Sequence, residues 1–507
     1  MTDPSPPPPV GAEAAALAEQ VLAVEVAHVE GALHRGAGGT AHLPVLAVGL
    51  AASPGTGSGP LVTSVGAALD AFDRGEDPVL VAEQTSPADE PAMRVAAAVV
   101  TARGGLASHA AVVARGWGLP AVCGAETISV DGDGIRVGDR RVAEGEWLTV
   151  DGSSGEIRLG AAGSGGAPGG LDGQLLAALD AADRLAAGRP AVWANADTAD
   201  DARRARELGA RGIGLCRTEH QFLGDRLPLL QEVLLRGPEA TDATAELERL
   251  QRSDAAALLE AMDGLPVTFR LLDPPLHEFL PRHGDASADP ALLALADLWR
   301  EENPMLGVRG VRLAVLRPDL LALQVRSLAG AAADRRAAGG RPVPRLLVPM
   351  VAHPGEMDLV AEAVRFVPGA EGIELGAMVE TPAAALRVGE LRAGFLSLGT
   401  NDLTQLTLGE SRDDVEARLL GPYREAGILS ASPFESLDPA VVELVGLTVE
   451  RAGGRPVGIC GEQAADPASL AACRAAGVGT VSCSPFRVPV ARLLAGRAAA
   501  AELRGTV

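Results

Sequence analysis

The 507 residues predict an α/β protein whose C-terminal part is a (β/α)8 TIM barrel, preceded by a small mixed α/β domain. Three observations carry this reading. From about Arg189 onward, short apolar runs alternate with longer helical ones eight times, the pattern of a strand–helix barrel. Between Leu43 and Leu159 the texture is instead short β-like pieces separated by glycine: VLAVGLAASPG, PVLVAEQT, AAVVTARGG and WLTVDGSSGEI. Between these regions, GAAGSGGAPGGLDGQ (160–174) is dominated by Gly, Ala and Ser and reads as a flexible linker. A chain of this length exceeds one ordinary domain. Its 47% hydrophobic content is ample for sizeable cores, and with only 3% aromatic residues those cores must be built from Ala, Val and Leu.

Taken in order, residues 1–11 are proline-rich and expected to be disordered. AEAAALAEQVLAVEVAHVEGALHR (12–35) reads as one helix with an apolar stripe, closed by GAGG. Residues 43–160 form the small domain. Residues 161–188 hold the linker and a helix from Leu175 to about Gly188, and residues 189–507 hold the barrel. Its eight strand candidates are VWANA (192–196), GIGLCR (212–217), VTFRLLD (267–273), RLLVPMV (345–351), GIELGAMVE (372–380), FLSLGTND (395–402), RPVGICGE (455–462) and TVSCSP (480–485). Helical stretches such as DDARRARELGA, DPALLALADLWR and EMDLVAEAVRF separate them. A doubly wound open sheet is the rival, but no G-x-G-x-x-G follows the first strand.

Composition removes whole classes of function. With 44 basic against 66 acidic residues the formal charge is −22, which argues against a nucleic-acid partner. The chain contains no lysine, so a Schiff-base lysine and a Walker lysine are both ruled out. The cysteines, Cys123, Cys216, Cys460, Cys473 and Cys483, are odd in number and form no C-x-x-C pair. That disfavours a zinc ribbon or disulfide framework and fits a reducing cytoplasm. The start MTDPSPPPPVGAEAAALAEQ has neither a basic nor an apolar signal region, and no run of eighteen apolar residues occurs.

In a (β/α)8 barrel the chemistry sits at the C-terminal strand ends, and here those ends are polar. Arg217 closes the second strand, Arg270 and Asp273 lie in the third, Glu380 ends the fifth, Asn401 and Asp402 end the sixth, and Cys460 and Glu462 end the seventh. Singly, each arginine reads as a surface ion pair; jointly, the residues would line one mouth. Arg217, Arg270 and Arg309 (in ENPMLGVRG) offer planar donor forks suited to a phosphate and a carboxylate. Glu380 and Asp402 would share a hard cation, and two carboxylates with substrate oxygens and water suit Mg²⁺. Cys460 and, in VSCSP, Cys483 are each open between an inert buried thiol and a proton donor. Such a mouth suits a phosphorylated α-keto or enol acid, with Mg²⁺ on the enolate.

His109 poses a separate question. In SHAAVVARG, Ser108 reads as a helix N-cap with His109 in the first turn. The helix N-terminus there favours an anion and a neutral imidazole able to attack phosphorus. Gly104 and Gly105 allow a tight turn beside it. Taken alone, S-H-A-A reads more readily as a structural histidine packed at a helix start than as a functional one.

At this point the residues resemble a known family. TARGGLASHAAVVARGWGLPAVCG is similar to the phosphohistidine motif of the phosphoenolpyruvate (PEP)-utilising enzymes. GIGLCRTEH, RLLDPPLHEFLP, ENPMLGVRGVRL, LGTNDLTQLTLGESRDD and VSCSPFRVPVARL most resemble the pyruvate, phosphate dikinases among them, from about Leu43 to the C-terminus. The resemblance implies a swivelling domain with His109 as phosphoryl carrier and a PEP/pyruvate-binding barrel. It puts Arg217, Arg270, Asp273, Arg309 and Asn401 on substrate, Arg412 (GESRDD) near the site, and Glu380 and Asp402 on Mg²⁺. Cys460 would protonate the enolate, and a homodimer would form through the barrel.

Three features depart from the dikinase pattern. There is no room ahead of Leu43 for an ATP-grasp domain, so a separate ATP-grasp partner is expected. Ala107 stands in place of a regulatory threonine, and CGEQAAD places Gln463 where the dikinases carry a histidine. The alternatives are an enzyme I-like donor to a carrier protein, although that enzyme's helical carrier-binding domain is not recognisable, and a non-catalytic PEP-sensing paralogue.

Overall fold

The computed structural model describes residues 9–26, 29, 42–74, 76–86, 89–105, 108–162, 171, 173–222, 226–273, 275–281 and 289–505. The proline-rich start, most of the 160–174 linker and Ala107 lie outside them. The chain divides into two compact units, residues 1–187 with 411–435 and 492–507, and residues 188–410 with 436–491.

The first unit is organised by a mixed eight-stranded sheet. Its order is Val45–Val48, Glu156–Leu159, Trp147–Asp151, Thr56–Val62, Val79–Ala82, Ala98–Thr101, Ala121–Cys123, Leu50–Ser53. The three central pairings, from Thr56–Val62 to Ala121–Cys123, are parallel, and the four outer pairings are antiparallel. A second, three-stranded antiparallel sheet spans Ile128–Val130, Gly134–Val137 and Arg140–Ala143. Successive side chains of a strand face opposite ways, and both faces are covered. Val79, Val81, Ala98 and Val100 join Ile128, Ile135 and Val142 in one core. Leu80 and Val99 join Ala110, Ala111 and Ala114 of the helix His109–Trp117 in the other.

The helix expected over 12–35 is interrupted after Leu22; Val26 and Val29 are helical again, and the rest of 27–35 lies outside the described residues. Val21 and Val24 put stiff β-branched side chains at this break, which lowers helix propensity. The Val24 carbonyl accepts a hydrogen bond from Arg497 instead. The expected helix after the linker spans Gly173–Ala186. Among the described residues, no helix is long and apolar enough to cross a membrane.

The second unit contains the predicted barrel. Its strands are β1 (Ala191–Asn195), β2 (Ile213–Arg217), β3 (Pro266–Arg270), β4 (Val343–Val348), β5 (Glu374–Val379), β6 (Phe395–Leu398), β7 (Val457–Ile459) and β8 (Thr480–Cys483). They close as a ring in chain order, every pairing parallel, with β8 against β1. All eight coincide with the apolar runs identified in the sequence. The named helical stretches correspond to Ala199–Glu207, Pro290–Leu298 and Pro354–Arg365.

Candidate active site

Five of the predicted residues, Arg270, Asp273, Arg309, Glu380 and Asp402, form one electrostatic cluster just beyond the strand ends. Arg270, the last residue of β3, pairs with Glu219 and lies 3.3 Å from Asp273. Arg309 grips Asp273 with two bonds, Nε to Oδ1 at 3.0 Å and Nη2 to Oδ2 at 2.9 Å. It reaches Asp402 with two more, at 3.0 and 3.3 Å. Arg270, Asp273 and Arg309 are all buried, so these are desolvated ion pairs. Burial opposes the charge on both arginines, but the surrounding carboxylates outweigh it and hold them protonated.

Glu380 follows β5 and is only 1% exposed. Its Oε1 accepts the Met350 N–H at 2.5 Å. Met350 takes a left-handed φ of 57°, which for a side-chain-bearing residue is strained. Burial, then repulsion from Asp402 and Asp273, pushes the Glu380 carboxyl up to about 8. Two oxygen donors in a field this negative fit a hard cation. Space for one depends on Gly399, since a Cβ there would fall 2.6 Å from Glu380 Oε2. Among the described residues no group of three or more His, Cys, Asp or Glu side chains is placed to hold a metal ion by itself, so further ligands would come from substrate and water.

This carboxyl gives a direct prediction. The folded protein keeps a proton on Glu380 that the unfolded chain releases near its ordinary 4.5. Metal-free protein is therefore expected to lose stability as pH rises from 4.5 towards about 8. Glu380→Gln should flatten that slope in melting temperatures measured with a chelator present.

Asn401 and Asp402 begin the helix Thr400–Leu408, one turn beyond β6, and both are half-buried. Cys460 directly follows β7 and is 3% exposed. Its thiol faces the Leu398 carbonyl at 3.5 Å. Burial pushes the thiol up, and a hydrogen bond from the Ser397 hydroxyl partly offsets this. The Cys460 backbone is fixed too: Asn195 Nδ2 donates to its carbonyl at 3.1 Å, and Ser482 donates to Asn195 Oδ1. Cys483 is the last residue of β8 and fully buried.

Arg217 ends β2, with its N–H bonded to Asp197 Oδ1 at 2.6 Å. Asp197 Oδ2 holds His220 Nδ1 at 2.9 Å. Although burial opposes both charges, their attraction draws Asp197 down to about 2 and raises His220. Neither residue was singled out in the sequence, nor was Glu219. Glu219 and His220 sit in GIGLCRTEH immediately after Arg217, which was the available signal. Thr218, between Arg217 and Glu219, donates to the Arg270 carbonyl at 3.0 Å and accepts from Gln324 Nε2 at 3.2 Å, which ties this turn to β3.

His109 and Arg412 belong to the first unit. Ser108 caps the helix His109–Trp117, its Oγ accepting the Ala111 N–H at 3.4 Å. Gly104, in the approach to it, has φ 105°, a conformation glycine adopts without strain. The helix runs from the end of Ala98–Thr101 to Ala121–Cys123, so its N-terminus opens at the carboxyl edge of parallel strands, where anions bind. Arg412 opens the helix Arg412–Arg418 and lies 5.7 Å from the Phe434 ring.

Fold and mouth together define a (β/α)8-barrel protein with interlocked arginines and carboxylates at the face where such barrels hold their substrates. Residues 180–500 match the PEP-binding domain of the PEP-utilising enzymes, and residues 74–155 match their mobile domain. The chain belongs to the PEP-utilising enzyme family. It is 42% identical over 516 residues to a pyruvate, phosphate dikinase of Rhizobium meliloti (strain 1021), covering 95% of this chain and 56% of that protein. It is 42% identical over 486 residues to the chloroplastic pyruvate, phosphate dikinase 1 of Arabidopsis thaliana, covering 89% and 50%. With pyruvate, phosphate dikinase 2 of Oryza sativa subsp. japonica the figures are 42% over 488 residues, 89% and 54%. The chain thus spans about half the length of the curated relatives it matches.

Proposed function

We propose that this chain interconverts PEP and pyruvate, with His109 as phosphoryl carrier, and so performs one half-reaction of a dikinase-like phosphotransferase. The observation that carries the reading is the Arg270–Asp273–Arg309–Asp402 network with Glu380 and Cys460 beside it at one barrel mouth. The similarity to pyruvate, phosphate dikinases supports this over a donor to a carrier protein.

Residues 43–160 carry the phosphohistidine and residues 189–507 bind the acid. The planar forks of Arg217, Arg270 and Arg309 orient phosphate and carboxylate, Asn401 contacts substrate, and Arg412 joins them. Asp273 keeps the two buried arginines apart and fixed, so their donors are aimed before substrate arrives. Glu380 and Asp402 would hold Mg²⁺, which when bound supplies charge to stabilise the enolate oxygen. The neutral His109 imidazole accepts the phosphoryl group as the enolate forms. The Cys460 thiol then delivers a proton to C3, and its raised pKa keeps it protonated for that task. The nucleotide half-reaction belongs to an ATP-grasp body outside these 507 residues. A homodimer through the barrel and a cytoplasmic location complete the reading.

Incubation with phosphate-labelled PEP and Mg²⁺ is expected to leave acid-labile, base-stable label on the wild type and none on His109→Ala. Folded wild-type protein that takes no label would overturn the carrier role.

A further inference from the structure

Behind Cys460 the barrel core is not filled. A cavity of about 40 Å³ touches Cys460, Ser397, Thr268, Thr480 and Ser482. Barrel interiors are ordinarily packed with layers of Val, Ile and Leu, whereas this one places four hydroxyls around an open space. Glycines keep it open: a Cβ at Gly214 would fall 2.6 Å from Ser482 Oγ, and one at Gly458 would fall 2.3 Å from Thr480 Oγ1. At about 10–15 Å³ per water, the volume of about 40 Å³ admits roughly three waters with polar partners.

The cavity also reaches Arg345, near the start of β4. Arg345 lies between the Trp193 and Phe395 rings, 5.4 and 4.9 Å from their centroids, and pairs with Glu374 at 2.9 Å. The Glu374 side chain is 41% exposed, so the far side of the cavity ends on a charge in contact with solvent. At the near end Ser397 and Cys460 line the same cavity wall, with the Cys460 thiol facing the Leu398 carbonyl at 3.5 Å.

We propose that this cavity is the proton line of Cys460, a chain of hydroxyls and waters that resupplies the thiol while substrate fills the mouth. The inference rests on the reading of Cys460 as the acid at C3. As C3–H forms, S–H breaks and the electron pair stays on sulfur. The thiolate takes a proton from Ser397, Ser397 takes one from the next water or hydroxyl, and solvent beside Arg345 supplies the last. The net transfer is one proton from bulk to sulfur, and in the opposite reaction the line drains.

The test follows the S–H infrared band of Cys460, identified by its loss in Cys460→Ser, after transfer to D2O with oxalate and Mg²⁺ occupying the mouth. Wild type is expected to exchange as fast as it does without oxalate. Thr268→Val and Thr480→Val, which remove hydroxyls but keep shape and leave the mouth intact, are expected to slow exchange on the order of tenfold or more with oxalate bound. Two variants guard against one failing to fold. Exchange that stops in wild type when oxalate binds, or that is unchanged in both variants, overturns the proposal. Failure of oxalate to raise the melting temperature counts against the mouth reading beneath it. Deuteration of pyruvate C3 that persists in Cys460→Ser would sink the acid assignment itself, whatever the exchange rates.

Discussion

Replacing Arg309 by methionine is expected to lower stability by about 3–5 kcal/mol, because a buried pair that loses one partner leaves uncompensated charge behind. Arg309 is 4% exposed and holds Asp273 and Asp402 at once. Without it two carboxylates face Glu380 with only Arg270 to balance them, so they must take up protons or water. The same change should abolish turnover, since a donor fork and the spacing of both carboxylates are lost together. Arg252→Met is the control: its pair with Asp334 is about half exposed on both sides and such pairs contribute about 0–1 kcal/mol. Denaturant unfolding of the two variants in parallel measures the difference, and equal losses would refute this account of the mouth.

Cys460→Ala is expected to separate two events that the wild type performs in sequence. Deuterium incorporation from solvent into pyruvate C3 should fall about 10²–10⁴-fold, the usual contribution of a positioned acid or base. Transfer of labelled phosphate from PEP to the protein should survive, because the phosphoryl acceptor is untouched. Methyl-proton NMR of pyruvate in D2O and acid-labile label on the protein give the two readings. Parallel loss of both would mean that the thiol supports the mouth instead of moving a proton.

The barrel was legible because its signal is local: each apolar run of three to six residues ends in a polar group before a helix begins. Arg270, Asp273, Arg309, Glu380 and Asp402 could therefore be placed at one mouth from order alone. Glu219 could not, because its pairing with Arg270 depends on a register that sets Arg217 opposite Arg270 across two strands. Nor could Asp197, whose bond to the Arg217 N–H joins residues twenty positions apart. In the first unit the same limit applies. Val45–Val48 pairs with Glu156–Leu159 more than a hundred residues away, and the separate three-stranded sheet read only as β-like texture. The break after Leu22 was not legible because period-3.6 spacing continues through it while propensity falls.

The Thr400 hydroxyl, fully buried, donates to Gln463 Oε1 at 2.8 Å. Thr400 adjoins Asn401 and Asp402 after β6, and Gln463 lies three residues beyond Cys460 after β7. One bond thus fastens the loop that carries a carboxylate to the loop that carries the thiol. Evolution cannot then tune these loops independently. A change at position 463 that helps one loop is filtered by what the residue at 400 can still bond, so the two positions should drift as a pair.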